Sequence, residues 1–157
     1  TTEPAPRAPR APVEGVSWAA DEPEAAFVAL ERQAHALFAR PHPLRLAEVV
    51  VPDTALYRQW DARLRALSRA GRAERQPGST LVDVQVTTDT PEIVYLRVTY
   101  HDTVQETLDR AGTVIAVEPM APTSHWVVVM QRDRTAGIAR WRFVAIDRSV
   151  RDLEISL

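Results

Sequence analysis

The side chains of this chain that could move protons are His101 and Asp102, adjacent in sequence, with Asp83, His125 and Tyr95 in the same half. A carboxylate or imidazole inside a pocket can abstract a carbon-bound proton if burial or a neighbour brings its pKa near the working pH. His101-Asp102 closes one extended run and His125 opens another, which puts both at sheet margins. There, capping a strand or binding a turn amide competes with catalysis. If the chain is an enzyme, His101, Asp102 and Asp83 are its acid–base candidates. No Ser-His-Asp spacing, Gly-rich phosphate loop or clustered His/Asp/Glu pattern occurs, so neither a metal nor a cofactor is expected. The second kind of chemistry is aromatic. Trp60, Tyr95, Trp126 and Trp141 could bury an apolar segment of a partner or a lipid tail without precise polar pairing.

Those residues need elements to hold them. The runs His125–Asp133 and Ala139–Asp147 are β-branched or aromatic and flank a short polar connection, the pattern of a hairpin. Trp126, Val128 and Met130 share one face of the first run; Trp141, Phe143 and Ala145 share one face of the second. Upstream, Val82, Val84 and Val86 alternate with polar residues, and Val94, Leu96, Val98 and Tyr100 alternate with Tyr95, Arg97 and Thr99. A further hairpin is expected around Asp109–Gly112, with a short edge strand in the tail after Val150.

Before these strands the period is helical. Asp21 with Glu24 has capping-box spacing, Pro23 falls in a first turn, and Phe27, Leu30, Ala34 and Leu37 form a stripe. Leu44–Val51 reads as a helical turn or two. A longer helix runs from an expected cap at Asp53, with Leu56, Tyr57, Trp60, Leu64 and Leu67 on one stripe, to Gly71 at the left-handed C′ position. Helices followed by antiparallel strands give an α+β order: N-terminal helices packed on a curved, largely antiparallel sheet of four to six strands.

Over 157 residues, 45% hydrophobic and 25% charged side chains describe an ordinary globular composition, enough for one core. Cysteine is absent, which removes disulfides, thiolate zinc sites and Cys nucleophiles together. A net charge of −2 argues against a nucleic-acid partner. Residues 1–20 are Pro- and Ala-rich and read as a linker; residues 21–157 read as a single domain. Because the sequence opens on Thr1 and carries no long apolar stretch, it is expected to be part of a longer, membrane-tethered protein.

The Gly-containing hairpin Arg110-Ala-Gly-Thr-Val-Ile-Ala116, the strand opening His125-Trp126 and the closing run Trp141, Phe143, Ile146 resemble the nuclear-transport-factor-two-like superfamily. Tyr57-Arg-Gln-Trp60 matches the aromatic-bearing helix before the sheet. More narrowly, the pattern is similar to the domain of the mitochondrial import-motor anchor protein, its bacterial counterparts and the plastid-division intermembrane-space domains. The resemblance implies a cone-like fold and a non-catalytic adaptor in a larger bacterial assembly, its groove holding an apolar peptide segment or lipid tail. The alternative it implies is a small cofactor-free isomerase or polyketide-cyclase-like enzyme. Homodimerisation through the open sheet face is the rival expectation for partners.

Overall fold

Pro23 occupies the first turn of α1 (Pro23–Ala39), where its missing N–H costs nothing. The computed structural model describes residues 22–101, 103–119, 122–135 and 138–148. Asp21, the linker, Asp102 and the C-terminal tail therefore lie outside the described residues. The N-cap of α1 is Glu22, one residue later than expected, and its side chain makes no cap hydrogen bond to the helix. Pro43–Glu48 forms a 3-10 helix.

The second helix, α2 (Ala55–Ala70), is capped by Thr54 and not by Asp53. The Thr54 hydroxyl accepts from the Tyr57 N–H at 3.1 Å and donates to the Val51 carbonyl at 2.8 Å. Asp53 instead takes a left-handed φ of 65° that turns the chain into the helix. At the other end Gly71 adopts φ 64°, the left-handed cap that lets its N–H reach the Leu67 and Ser68 carbonyls. Gly71→Ala is expected to lose about 1–2 kcal/mol in urea denaturation, since an L side chain is strained there and its methyl would run into Arg110. An unchanged midpoint would show that the cap tolerates a Cβ.

Seven strands follow among the described residues: β1 (Ala73–Arg75), β2 (Thr80–Asp89), β3 (Ile93–His101), β4 (Val104–Leu108), β5 (Val114–Pro119), β6 (Thr123–Thr135) and β7 (Ile138–Arg148). They make two antiparallel sheets, ordered β2-β3-β6-β7 and β1-β4-β5. The expected hairpin around Asp109–Gly112 is β4-β5, but it belongs to the smaller sheet, paired with a strand whose sequence reads as loop. Its turn is closed by the Asp109 carboxylate, which accepts from the Ala111 and Thr113 N–H groups at 2.9 Å each.

Register decides which side chains look inward. Val94, Leu96 and Val98 lie opposite Met130, Val128 and Trp126, and this shared face meets the helices. The outer face carries Tyr95 opposite Val129, Arg97 opposite Val127 and Thr99 opposite His125. Irregularities shift the simple alternation. An extra residue between Leu81 and Asp83 turns Val82 outward, 50% exposed, and puts Leu81 inside. A second, at Val144, moves Ile146 onto the inner face opposite Val128 and takes Ala145 off it. The core joins Phe27, Leu30 and Leu37 of α1 and Leu56 and Leu64 of α2 to the inner face through Met130 and Phe143. Among the described residues no helix is long and apolar enough to cross a membrane.

Candidate functional site

Between the two helices and the inner face of the larger sheet lies a half-open cavity of about 810 Å3. One wall is a ladder of edge-to-face rings. Phe38 meets Trp60 at 5.3 Å, Trp60 meets Phe143 at 6.2 Å, and Phe143 meets Phe27 at 6.1 Å between centroids. Such contacts fix ring orientation, so the wall is stiff as well as apolar. Trp126, Val128 and Ile146 continue it across the sheet. Trp126 is held by its indole N–H, which donates to Ser124 Oγ at 3.1 Å, with the Arg148 guanidinium 5.8 Å from the ring centre.

The other end of the cavity is polar. Glu31 projects from α1, one turn after Phe27, and accepts a hydrogen bond from the Tyr100 hydroxyl of β3. Burial pushes the Glu31 carboxyl up to about 7, against a smaller opposing pull from Arg32. His35, one turn further along, stands at the cavity with much of its surface open; the partial loss of solvent lowers its pKa. Arg63 of α2 and Glu74 of β1 form an ion pair at 2.5 Å, and Gln105 of β4 donates to the other Glu74 oxygen. This cluster ties the smaller sheet to α2 and closes the cavity's end. Ser79 Oγ and Thr103 Oγ1, both buried at the cavity, have no hydrogen-bond partner among the described residues.

The residues singled out from sequence divide sharply. Trp60 and Trp126 line the cavity. Trp141 is buried but outside the lining, in the core beneath the Arg132 guanidinium at 4.5 Å, which Asp89 holds at 3.0 Å. Tyr95 faces the opposite side of the sheet and is 41% exposed. Asp83 and His101 are exposed and pair on that same outer side with Thr99 and Thr123. Neither can be a pocket base, because the strand's two-residue period turns both away from the helices. Asp102 lies outside the described residues. Among those residues no group of three His, Asp or Glu is placed to hold a metal ion.

Glu31 and Tyr100 are a pair that sequence reasoning misses. A signal exists: Glu31 sits on the helix face of Phe27, Ala34 and Phe38, where a charged residue interrupts an apolar stripe. What the sequence does not carry is the strand partner, 69 positions away.

No protein-family model matches this chain, and no curated protein matches its sequence. Solved structures do: 24 chains match in fold. The intermembrane-space region of the chloroplast protein ARC6 superposes with TM-score 0.54 and 14% identity, over 80% of this chain and 92% of that one. Aln2 from a Streptomyces species gives 0.49 at 17% identity, over 85% and 93%. An uncharacterised protein with a cystatin-like fold from Caulobacter vibrioides gives 0.44 at 18%, over 83% and 92%. At such identity the ARC6 likeness establishes fold, and it is the α+β fold that the superfamily resemblance implies.

Proposed function

We propose that this chain is a non-catalytic binding domain whose cavity takes an apolar ligand of lipid-tail type. The observation that carries the reading is the stiff aromatic ladder along a half-open cavity of about 810 Å3. That volume falls within the roughly 300–1,000 Å3 of small-molecule sites, and the predominantly apolar lining is what such sites share. Two tryptophans in the wall provide the test. Titration with octanol is expected to change the Trp60 and Trp126 fluorescence saturably. Trp126→Ala should weaken binding roughly tenfold, because it removes on the order of 1.5 kcal/mol or more of apolar contact. Trp126 is only part-buried, so the variant should keep its circular dichroism. No saturable change in the wild type, or equal affinity in the folded variant, would reject the cavity as the binding site.

One observation favours a second reading, a cofactor-free isomerase or cyclase. Glu31, with a carboxyl near neutral and Tyr100 fixing one oxygen, has the attributes of a general base. It would take the role that the sequence alone points to His101, Asp102 and Asp83 for. Conjugation of a β,γ-unsaturated ketone at a rate that Glu31→Gln abolishes would support this reading; no acceleration over buffer would remove it.

A further inference from the structure

The polar end of the cavity is more than a hydrocarbon tail requires. Thr103 is 6% exposed, yet its hydroxyl has no partner among the described residues, and neither has that of Ser79. Both oxygens are closed off from solvent, each at a cost comparable to a lost hydrogen bond. Strand register brings these groups to one corner. Thr80 pairs with His101 and Leu81 with Tyr100, so Ser79 and Thr103 follow at the same end of the strand pair as Tyr100, whose hydroxyl bonds Glu31.

Charge decides what that corner accepts. The guanidiniums facing the cavity are already engaged: Arg63 by Glu74 at 2.5 Å and Arg75 by Glu106 at 2.7 Å. Glu74 is likewise satisfied, by Arg63 and Gln105. Glu31 accepts from a neutral hydroxyl, and no cation among the described residues is bonded to it. Arg32, its neighbour along α1, is exposed and acts at a distance. A carboxylate head would meet this carboxyl as a like group, whereas an ammonium would supply the missing positive charge. A primary ammonium has three donors and no acceptor. It matches a carboxyl that only a neutral hydroxyl engages among the described residues.

We propose that the cavity binds an apolar amine, its ammonium held by Glu31 at the polar end and its hydrocarbon laid along Phe27, Trp60 and Phe143. This rests on the binding reading above and names the head group that reading leaves open. The titratable and charged groups around Glu31 are His35 and Arg32 of α1, Arg63 of α2, Glu74 and Arg75 of β1, and Tyr100 of β3. Since burial holds Glu31 near pH 7 when the cavity is empty, capture of an ammonium there should expel about half a proton at that pH.

The test is a head-group series on the whole chain at pH 7: n-octylamine, n-octanol and octanoate, followed by calorimetry in two buffers of different ionisation enthalpy. Octylamine is expected to bind about tenfold or more tighter than octanol, as a charge-assisted hydrogen bond would give, with octanoate weakest. Its binding should release a fraction of a proton that octanol binding does not. Glu31→Gln should collapse the octylamine-to-octanol affinity ratio to about one, since the variant has no charge to pair with the ammonium. If octanol or octanoate binds as well as octylamine, the cavity reading stands and the amine assignment is overturned. If none of the three binds, both fall. The wild-type series decides even if the variant fails to fold.

Discussion

Phe143→Ala is expected to cost about 3–5 kcal/mol of stability. Phe143 is 1% exposed and touches both Phe27 of α1 and Trp60 of α2, so one ring joins the two helices to the sheet. Its backbone is engaged as well. The Phe143 N–H donates to the Val49 carbonyl at 2.8 Å, and its carbonyl accepts from Val51 N–H at 2.9 Å, a parallel bridge to the segment after the 3-10 helix. These bonds hold the strand in place when the ring is removed, so the cavity left behind should not collapse. That is the circumstance in which a large-to-small change costs most. Thermal unfolding should fall by on the order of 10 °C for a chain of this size. Val82→Ala, on the exposed outer face, is the matched control and should stay within about 0.5 kcal/mol. A Phe143→Ala loss below about 1 kcal/mol would mean that the helices are held to the sheet by something else.

The inward position of Phe143 is legible in the sequence, because side-chain period is a local property. Phe27, Leu30, Leu37, Leu64, Leu96, Val98 and Val128, expected inside from spacing alone, are buried. What escapes is whatever depends on one extra residue or on a partner far away in the chain. Alternation places Val82 beside Val84 and Val86, but the irregularity at that point turns it outward. Nothing in Leu-Val-Asp-Val-Gln-Val announces a bulge, since any of its residues could be the unpaired one. β1 is three residues long and has no alternation to detect; its Glu74 can be buried because Arg63 and Gln105 come from elsewhere. The candidate site divides in the same way. Trp60 and Trp126 are within reach of the sequence, since large aromatics on an inward face must meet something. Tyr95 shares its face with Arg97 and Thr99, so alternation alone sets it opposite the buried Val94, Leu96 and Val98 and away from the cavity. Glu31 escapes because a lone helical carboxylate is ordinarily solvated, and only the β3 register shows that Tyr100 covers it.

That covered carboxylate should make stability fall as pH rises. The Glu31 carboxyl titrates near 4.5 in an unfolded chain and about 7 in the native one. Between those values the native state holds the extra proton, so each step up in pH favours the unfolded chain. Its stabilising contribution is complete below about pH 4.5 and lost as pH passes through about 7, a total of roughly 3 kcal/mol. His35 works in the opposite sense. Its native pKa lies below 6.5, so its contribution is present above that pH and lost as pH falls through the lowered value. Measured on the wild type alone, the two would partly mask each other. Glu31→Gln separates them, because the glutamine carbonyl oxygen can still accept a hydrogen bond from the Tyr100 hydroxyl and the side chain cannot ionise. The difference in unfolding free energy, wild type minus variant, should therefore decline by roughly 3 kcal/mol between about pH 4.5 and about pH 8. At the upper end of that range the variant should be the more stable protein, and octylamine should restore much of the wild type's deficit, since an ammonium would pair the buried charge. A difference that stays level across that range would show that Glu31 is solvated in the native state, and the cavity's polar end would then have no buried charge to offer a ligand.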